Sequence, residues 1–174
     1  DNVGSKAMND TLSESRAPHE VVEILNRYFT RQVDVIFRHG GSLDKFIGDA
    51  IMAFWGAPLD DPDHAQHAVA CALDMADTLL AFKAELGELG RDFDVGIGIH
   101  SGPAVVGLIG SEKRRGYTSI GDTVNLASRI EGLTKEAGRR SLVSREPMAR
   151  CHGAFECVSC GTFQAKGRAQ PVEL

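Results

Sequence analysis

The sequence predicts an α/β or α+β domain in which an antiparallel-rich sheet packs against helices. Stretches with apolar residues at every third or fourth position alternate with short apolar runs bounded by turn residues, the pattern of helices interleaved with hairpins. The 174 residues, 43% of them hydrophobic, suit one domain with its own core. No internal repeat and no long linker divides them, so residues 1–174 read as a single domain. Helices alternating with antiparallel hairpins give it a ferredoxin-like core.

The elements follow in order. The first fifteen residues are polar and carry no periodicity. From Pro18, Val21, Val22, Leu25, Phe29, Val33, Ile36 and Phe37 recur at threes and fours, and Gly40-Gly41 ends the helix. Two strands follow around the turn Gly48-Asp49, one carrying Leu43, Phe46 and Ile47, the other Ile51 to Trp55. Residues 58–62 read as a loop. Asp63 is placed to cap a helix running to about Leu86, with Ala68, Ala72, Met75, Leu79 and Phe82 on one face. Residues 93–100 alternate as a strand, and 104–109 are expected to be its partner across Ser101-Gly102-Pro103. Residues 122–134 form an amphipathic helix, and the tail from Phe155 carries two short strands.

Charge narrows the function. Nineteen basic and twenty-four acidic side chains leave a net charge of -5, which argues against nucleic acid as a partner. No run approaches the roughly 18 apolar residues of a spanning helix, and no signal-peptide pattern opens the chain. The chain begins on Asp1 and ends on the strand-like Pro171 to Leu174. A longer protein with an upstream regulatory or membrane segment is therefore expected, with this domain in the cytoplasm. Cys71, in an apolar helical stretch, reads as a buried small hydrophobe. Cys151, Cys157 and Cys160 contain one C-x-x-C, where a zinc site needs two, and read as free thiols.

Three segments carry chemistry. In Leu43 to Ala53, Asp49 follows Gly48 at a hairpin tip, where a rigid scaffold holds a carboxylate able to ligate a hard cation. Taken alone, Gly-Asp is ordinary turn chemistry. Lys45, four residues earlier, falls on the face of Asp49 by strand parity, or is simply a solvated lysine. In Tyr117 to Ile130, Asn125 and Arg129 stand at i, i+4 on one helical face. An amide and a planar guanidinium there can hold a ribose oxygen and a phosphate. The bland alternative is a surface pair with Asp122 as N-cap. In Phe163 to Arg168, Lys166 precedes a glycine and can reach phosphates from a turn.

In order and spacing these strings resemble the class III adenylyl/guanylyl cyclase catalytic domain, from about Leu12 to Leu174. Lys45 to Gly56 resembles its metal-site hairpin, Gly98-Ile99-His100-Ser101-Gly102 its central strand, and Gly121 to Arg129 its catalytic helix. The resemblance implies an adenylyl cyclase that converts ATP to 3′,5′-cyclic AMP and pyrophosphate with two divalent cations, Mg2+ or Mn2+. Asp49 is implied as a metal carboxylate, Lys45 and Thr118 as purine readers, Asn125 as the ribose ligand, Arg129 as the transition-state cation and Lys166 as a triphosphate ligand. The family's opening motif is only partly matched by Asp1-Asn2-Val3-Gly4-Ser5-Lys6, and counting back from Leu12-Ser13-Glu14 lands on Ser5. Asp1 is the implied first metal carboxylate. Each site is implied to form between two copies of the chain, a homodimer with metal carboxylates from one and the remaining residues from the other. A guanylyl cyclase, against which Lys45 argues, and an inactive domain that only dimerises or binds nucleotide are the alternatives.

Overall fold

The computed structural model describes residues 18–91, 93–164 and 171–174. Helix α1 (Pro18–Arg38) has proline at its first position, Glu20 in its first turn and Arg38 in its last, each suited to the helix dipole or its free N–H groups. It ends as the glycines require. Gly40 sits at φ +70°, its N–H donating to the Phe37 carbonyl, while Gly41 N–H reaches back to Ile36. Val21, Ile24, Tyr28, Val35 and Ile36 are buried, whereas Val22 and Phe37 of the expected stripe point outward.

Strands β1 (Ser42–Ile47) and β2 (Ala50–Phe54) form the expected antiparallel hairpin. Gly48, at φ +64°, opens its two-residue turn, a backbone that glycine adopts without strain. The register is broken once: Leu43 faces Ala53 and Lys45 faces Met52, so Asp44 is an extra residue bulged out of the ladder. Helix α2 (His64–Leu86) packs on α1 through Val21, Ile24, Tyr28, Leu79, Phe82 and Phe93. Asp63 does not cap it with its side chain. Asp61 serves that turn instead, accepting the Asp63 N–H at 3.0 Å and meeting His67 Nδ1 at 2.8 Å.

A one-turn 3-10 helix (Gly87–Gly90) leads to β3 (Ile97–Ile99), whose partner differs from the expectation. It pairs in parallel with β6 (Ser141–Val143), while β4 (Val105–Ser111) pairs antiparallel with β5 (Arg114–Ile120). Pro103 explains the change. It has no N–H for a tight hairpin ladder, and its carbonyl is held by Thr123 Oγ1 at 2.6 Å. The segment therefore leaves β3, and Val105 to Ser111 gains a seven-residue register with β5.

Helix α3 (Asp122–Gly132) starts from Gly121 as N-cap, so Asp122 is its first residue and not its cap. The expected run to 134 stops short because the Thr134 hydroxyl takes the Glu131 carbonyl at 2.7 Å, and a one-turn α4 (Thr134–Ala137) follows. After β6 come α5 (Arg145–Arg150) and the antiparallel pair β7 (Thr162–Phe163) and β8 (Val172–Glu173). Leu126, Ile130, Leu142 and Val172 close a second core over β6.

Helix α3 lies so close to β3 that a Cβ on Gly98 would overlap the backbone of Glu131 and Ala127. Gly98→Ala is therefore expected to destabilise the domain by about 2 kcal/mol, lowering Tm by roughly 4–8 °C in thermal unfolding. Gly116→Ala is the matched control, since a Cβ there meets nothing within 4 Å.

Candidate active site

The hairpin tip places Asp49 at the edge of a cavity of about 710 Å3. The same cavity is lined by β2, by Val95 to Gly102 and by Asn125, Ser128 and Glu131 on α3. No backbone pairing joins β2 to β3 among the described residues, and the cavity occupies the space between them. Asp49 is half-buried, and its Oδ2 is buried without a hydrogen-bond partner. Such an oxygen is costly unless something positive meets it.

Its charge is felt nearby. Burial, and after it the Asp49 carboxylate, pushes the Tyr28 phenol above its usual range. Burial also holds the Glu131 carboxyl above the ordinary carboxylate range; Lys135 opposes this, and Asp49 adds to it. Glu131 was not singled out from the sequence. Its only signal is that it lies two residues beyond Arg129, which does not mark a residue facing a cavity.

A second grouping forms where β1 meets β5. Thr118 Oγ1 donates to Asp44 Oδ2 at 2.7 Å, and the Ser119 N–H donates to the same oxygen at 3.0 Å. The other oxygen, Oδ1, makes no well-formed hydrogen bond but faces the Lys45 ammonium at 3.3 Å. The Asp44 side chain is 1% exposed and that of Lys45 is 48% exposed. Neighbouring residues of a regular strand point to opposite faces, so the bulge at Asp44 is what allows two adjacent side chains to meet. Asp44, like Glu131, went unmarked in the sequence.

The structure thus brings Lys45 and Thr118 together at Asp44, and Asp49 and Asn125 together at the cavity. Neither Lys45 nor Thr118 is among the cavity's lining residues. Asn125 is exposed; Arg129, one turn further along α3, is half-buried and does not line the cavity. Asp1 and Lys166 lie outside the described residues. Of the central string, His100 meets Ser144 Oγ at 2.7 Å and Glu146 at 3.6 Å through Nδ1. The four cysteines are free, and burial raises the thiol of Cys71 to about 12.

The unpartnered Asp49 oxygen fits a cation ligand. Among the described residues, no group of three or more His, Cys, Asp or Glu side chains gathers around one point as a metal cluster. Apolar residues lie exposed beside both groupings: Phe46 and Ile47 on β1, and Val105, Leu108, Tyr117 and Ile120 on β4 and β5. Among the described residues no helix is long and apolar enough to cross a membrane.

Comparison with known proteins agrees with this architecture. Adenylate cyclase 1 of Rhizobium meliloti is 41% identical over 165 residues, covering 94% of this chain and 25% of that protein. The chain thus spans about a quarter of that relative's length. Among solved structures, the adenylyl cyclase CyaB from P. aeruginosa superposes with a TM-score of 0.84 at 29% identity, covering 96% of this chain and 86% of that one. The guanylyl cyclase Cya2 superposes with a TM-score of 0.79 at 40% identity, covering 92% and 81%. The family model for the adenylate and guanylate cyclase catalytic domain matches residues 3–173, and the chain belongs to that family.

Proposed function

We propose that this chain is the catalytic domain of an adenylyl cyclase, forming 3′,5′-cyclic AMP and pyrophosphate from ATP at the interface of a homodimer. The observation that carries the reading is the meeting of Lys45 and Thr118 at one buried carboxylate. The two positions implied to read the purine are 73 residues apart, yet they are held as one unit. In the reaction the ribose 3′-oxygen attacks the α-phosphate in line, its proton passes to water, and the bond from the α-phosphorus to pyrophosphate breaks. Asn125 holds the ribose, Arg129 donates to the phosphate as charge develops there, and Lys166 braces the triphosphate. Asp49 and Asp1 are the carboxylates that would hold two divalent cations, Mg2+ or Mn2+. When bound, these supply positive charge to the attacking hydroxyl and the phosphates.

The apolar residues exposed on β1, β4 and β5 support a second copy as the partner, since an interface core is built from such side chains. The greater length of the Rhizobium protein is consistent with a regulatory or membrane segment elsewhere in a longer cytoplasmic enzyme.

One observation favours a second reading, guanylyl cyclase: the 40% identity to Cya2. The base decides between them. An ammonium donates to the N1 lone pair of adenine, whereas N1 of guanine carries a hydrogen. Lys45→Glu is accordingly expected to lose ATP turnover by at least about a hundredfold. The measurement is cyclic AMP and cyclic GMP formed from each nucleotide with Mn2+. Parent-level ATP activity in the folded variant would reject Lys45 as the base reader, and a parent that prefers GTP would reject the adenylyl assignment.

A further inference from the structure

We infer that Asp44 sets the purine selectivity of this site by fixing the Thr118 hydroxyl as a hydrogen-bond acceptor. This deepens the adenylyl cyclase reading and rests on it.

A threonine hydroxyl has one proton and two lone pairs, so on its own it serves a donor or an acceptor equally well. Thr118 does not have that freedom. Its proton is directed at Asp44 Oδ2, 2.7 Å away. The Ser119 N–H, which can only donate, occupies the same oxygen at 3.0 Å and keeps it an acceptor. The Lys45 ammonium on the other side of the carboxylate is also a donor only. With the carboxylate 1% exposed, no water competes for it. What Thr118 offers a base is therefore lone pairs alone.

Lys45 and Thr118 then present one donor and one acceptor. The adenine edge has the complementary pair, a lone pair at N1 and hydrogens on the 6-amino group. The guanine edge has the opposite one, a hydrogen at N1 and a lone pair on the 6-oxo group. Guanine would face lone pair against lone pair at Thr118, and an apposed polar pair that cannot bond is costly once desolvated. Asp44 touches no substrate in this account. It is a positioning residue, and the bulge places it between the two side chains that do touch substrate.

The property that matters is an acceptor oxygen at this point, not the charge, and two substitutions separate these. Asp44→Ala frees the Thr118 proton to donate to guanine. Asp44→Asn keeps an oxygen that the Thr118 hydroxyl and Ser119 N–H can both reach. The readout is the ratio of kcat/KM for ATP over GTP with Mn2+. In parallel, calorimetry gives the ratio of Kd values for 3′-deoxy-ATP and 3′-deoxy-GTP, which lack the attacking hydroxyl. Asp44→Ala is expected to lower both ratios by at least about tenfold, and Asp44→Asn to stay within about threefold of the parent. Thr118→Val, which removes the hydroxyl at constant shape, should fall as far as Asp44→Ala and stands in for it if that variant does not fold.

An unchanged ratio in folded Asp44→Ala or in Thr118→Val would overturn the inference. So would an equal fall in Asp44→Asn and Asp44→Ala, which would make charge the determinant. A parent that prefers the guanine nucleotide in both assays overturns the adenylyl reading and this inference with it. A parent that binds 3′-deoxy-ATP selectively without turnover removes only the catalytic reading, and the binding ratios still decide the role of Asp44.

Discussion

Asp49→Ala is expected to lose divalent-dependent turnover by at least about a thousandfold while melting at or above the temperature of the parent. The two halves have one cause. Asp49 Oδ2 is buried with no hydrogen-bond partner, a state that costs about 1–3 kcal/mol for a polar group. Burial first, and the Asp49 carboxylate after it, push the Tyr28 phenol and the Glu131 carboxyl upward. Removing Asp49 relieves the fold of an unpaired charge, and Gly48, which sets the turn, is untouched. If Asp49 holds a cation, stability is traded for that ligand position. Circular dichroism with thermal melting tests the first half. Cyclic AMP formation and Mn2+ binding by calorimetry test the second. A folded variant that keeps normal activity and Mn2+ affinity removes Asp49 from the metal site. A large drop in Tm shows that its role is structural.

Activity recovered from two inactive parents is the second expected result. Asp49→Ala and Arg129→Ala homodimers should each be nearly dead if the two residues serve one site from different chains. In a mixed dimer one site collects both lesions and the other collects neither. The intact site should restore up to about half of parent activity per heterodimer, provided the two sites act independently. The motivating geometry lies within the single chain. Asp49 lines the cavity, while Arg129, Lys45 and Thr118, which are expected to serve the other copy's site, are absent from its lining. The measurement is cyclic AMP formation by a heterodimer purified through two different tags. Activity no higher than that of either parent refutes the shared site, because complete sites within each chain cannot complement.

What sequence determined by itself was whatever a few neighbouring residues decide. The end of α1 at Gly40-Gly41 and the two-residue turn at Gly48-Asp49 follow from backbone conformations that glycine adopts at little cost. The common face of Asn125 and Arg129 follows from helical spacing, and the strings around them were enough to identify the family. Those signals are local, so no knowledge of the rest of the chain was needed.

Tertiary structure decided what depends on residues far apart. The partner of β3 came from β6, more than forty residues away, because Pro103 and Thr123 divert the nearer candidate. Asp63 looked like a side-chain cap, yet it makes no such bond; Asp61 instead holds the Asp63 N–H and meets His67 one turn into the helix. Glu131 became an acidic neighbour of Asp49 only when α3 lay against β3. Asp44 was hidden most completely. An aspartate beside a lysine reads as a solvated strand pair, and alternation would send the two to opposite faces. A one-residue bulge and a threonine 74 positions away turned it into a buried bracket. Strand parity and turn chemistry act over a few residues; burial, pairing and the direction of a hydroxyl proton are set by whichever atoms the folded chain brings within bonding distance.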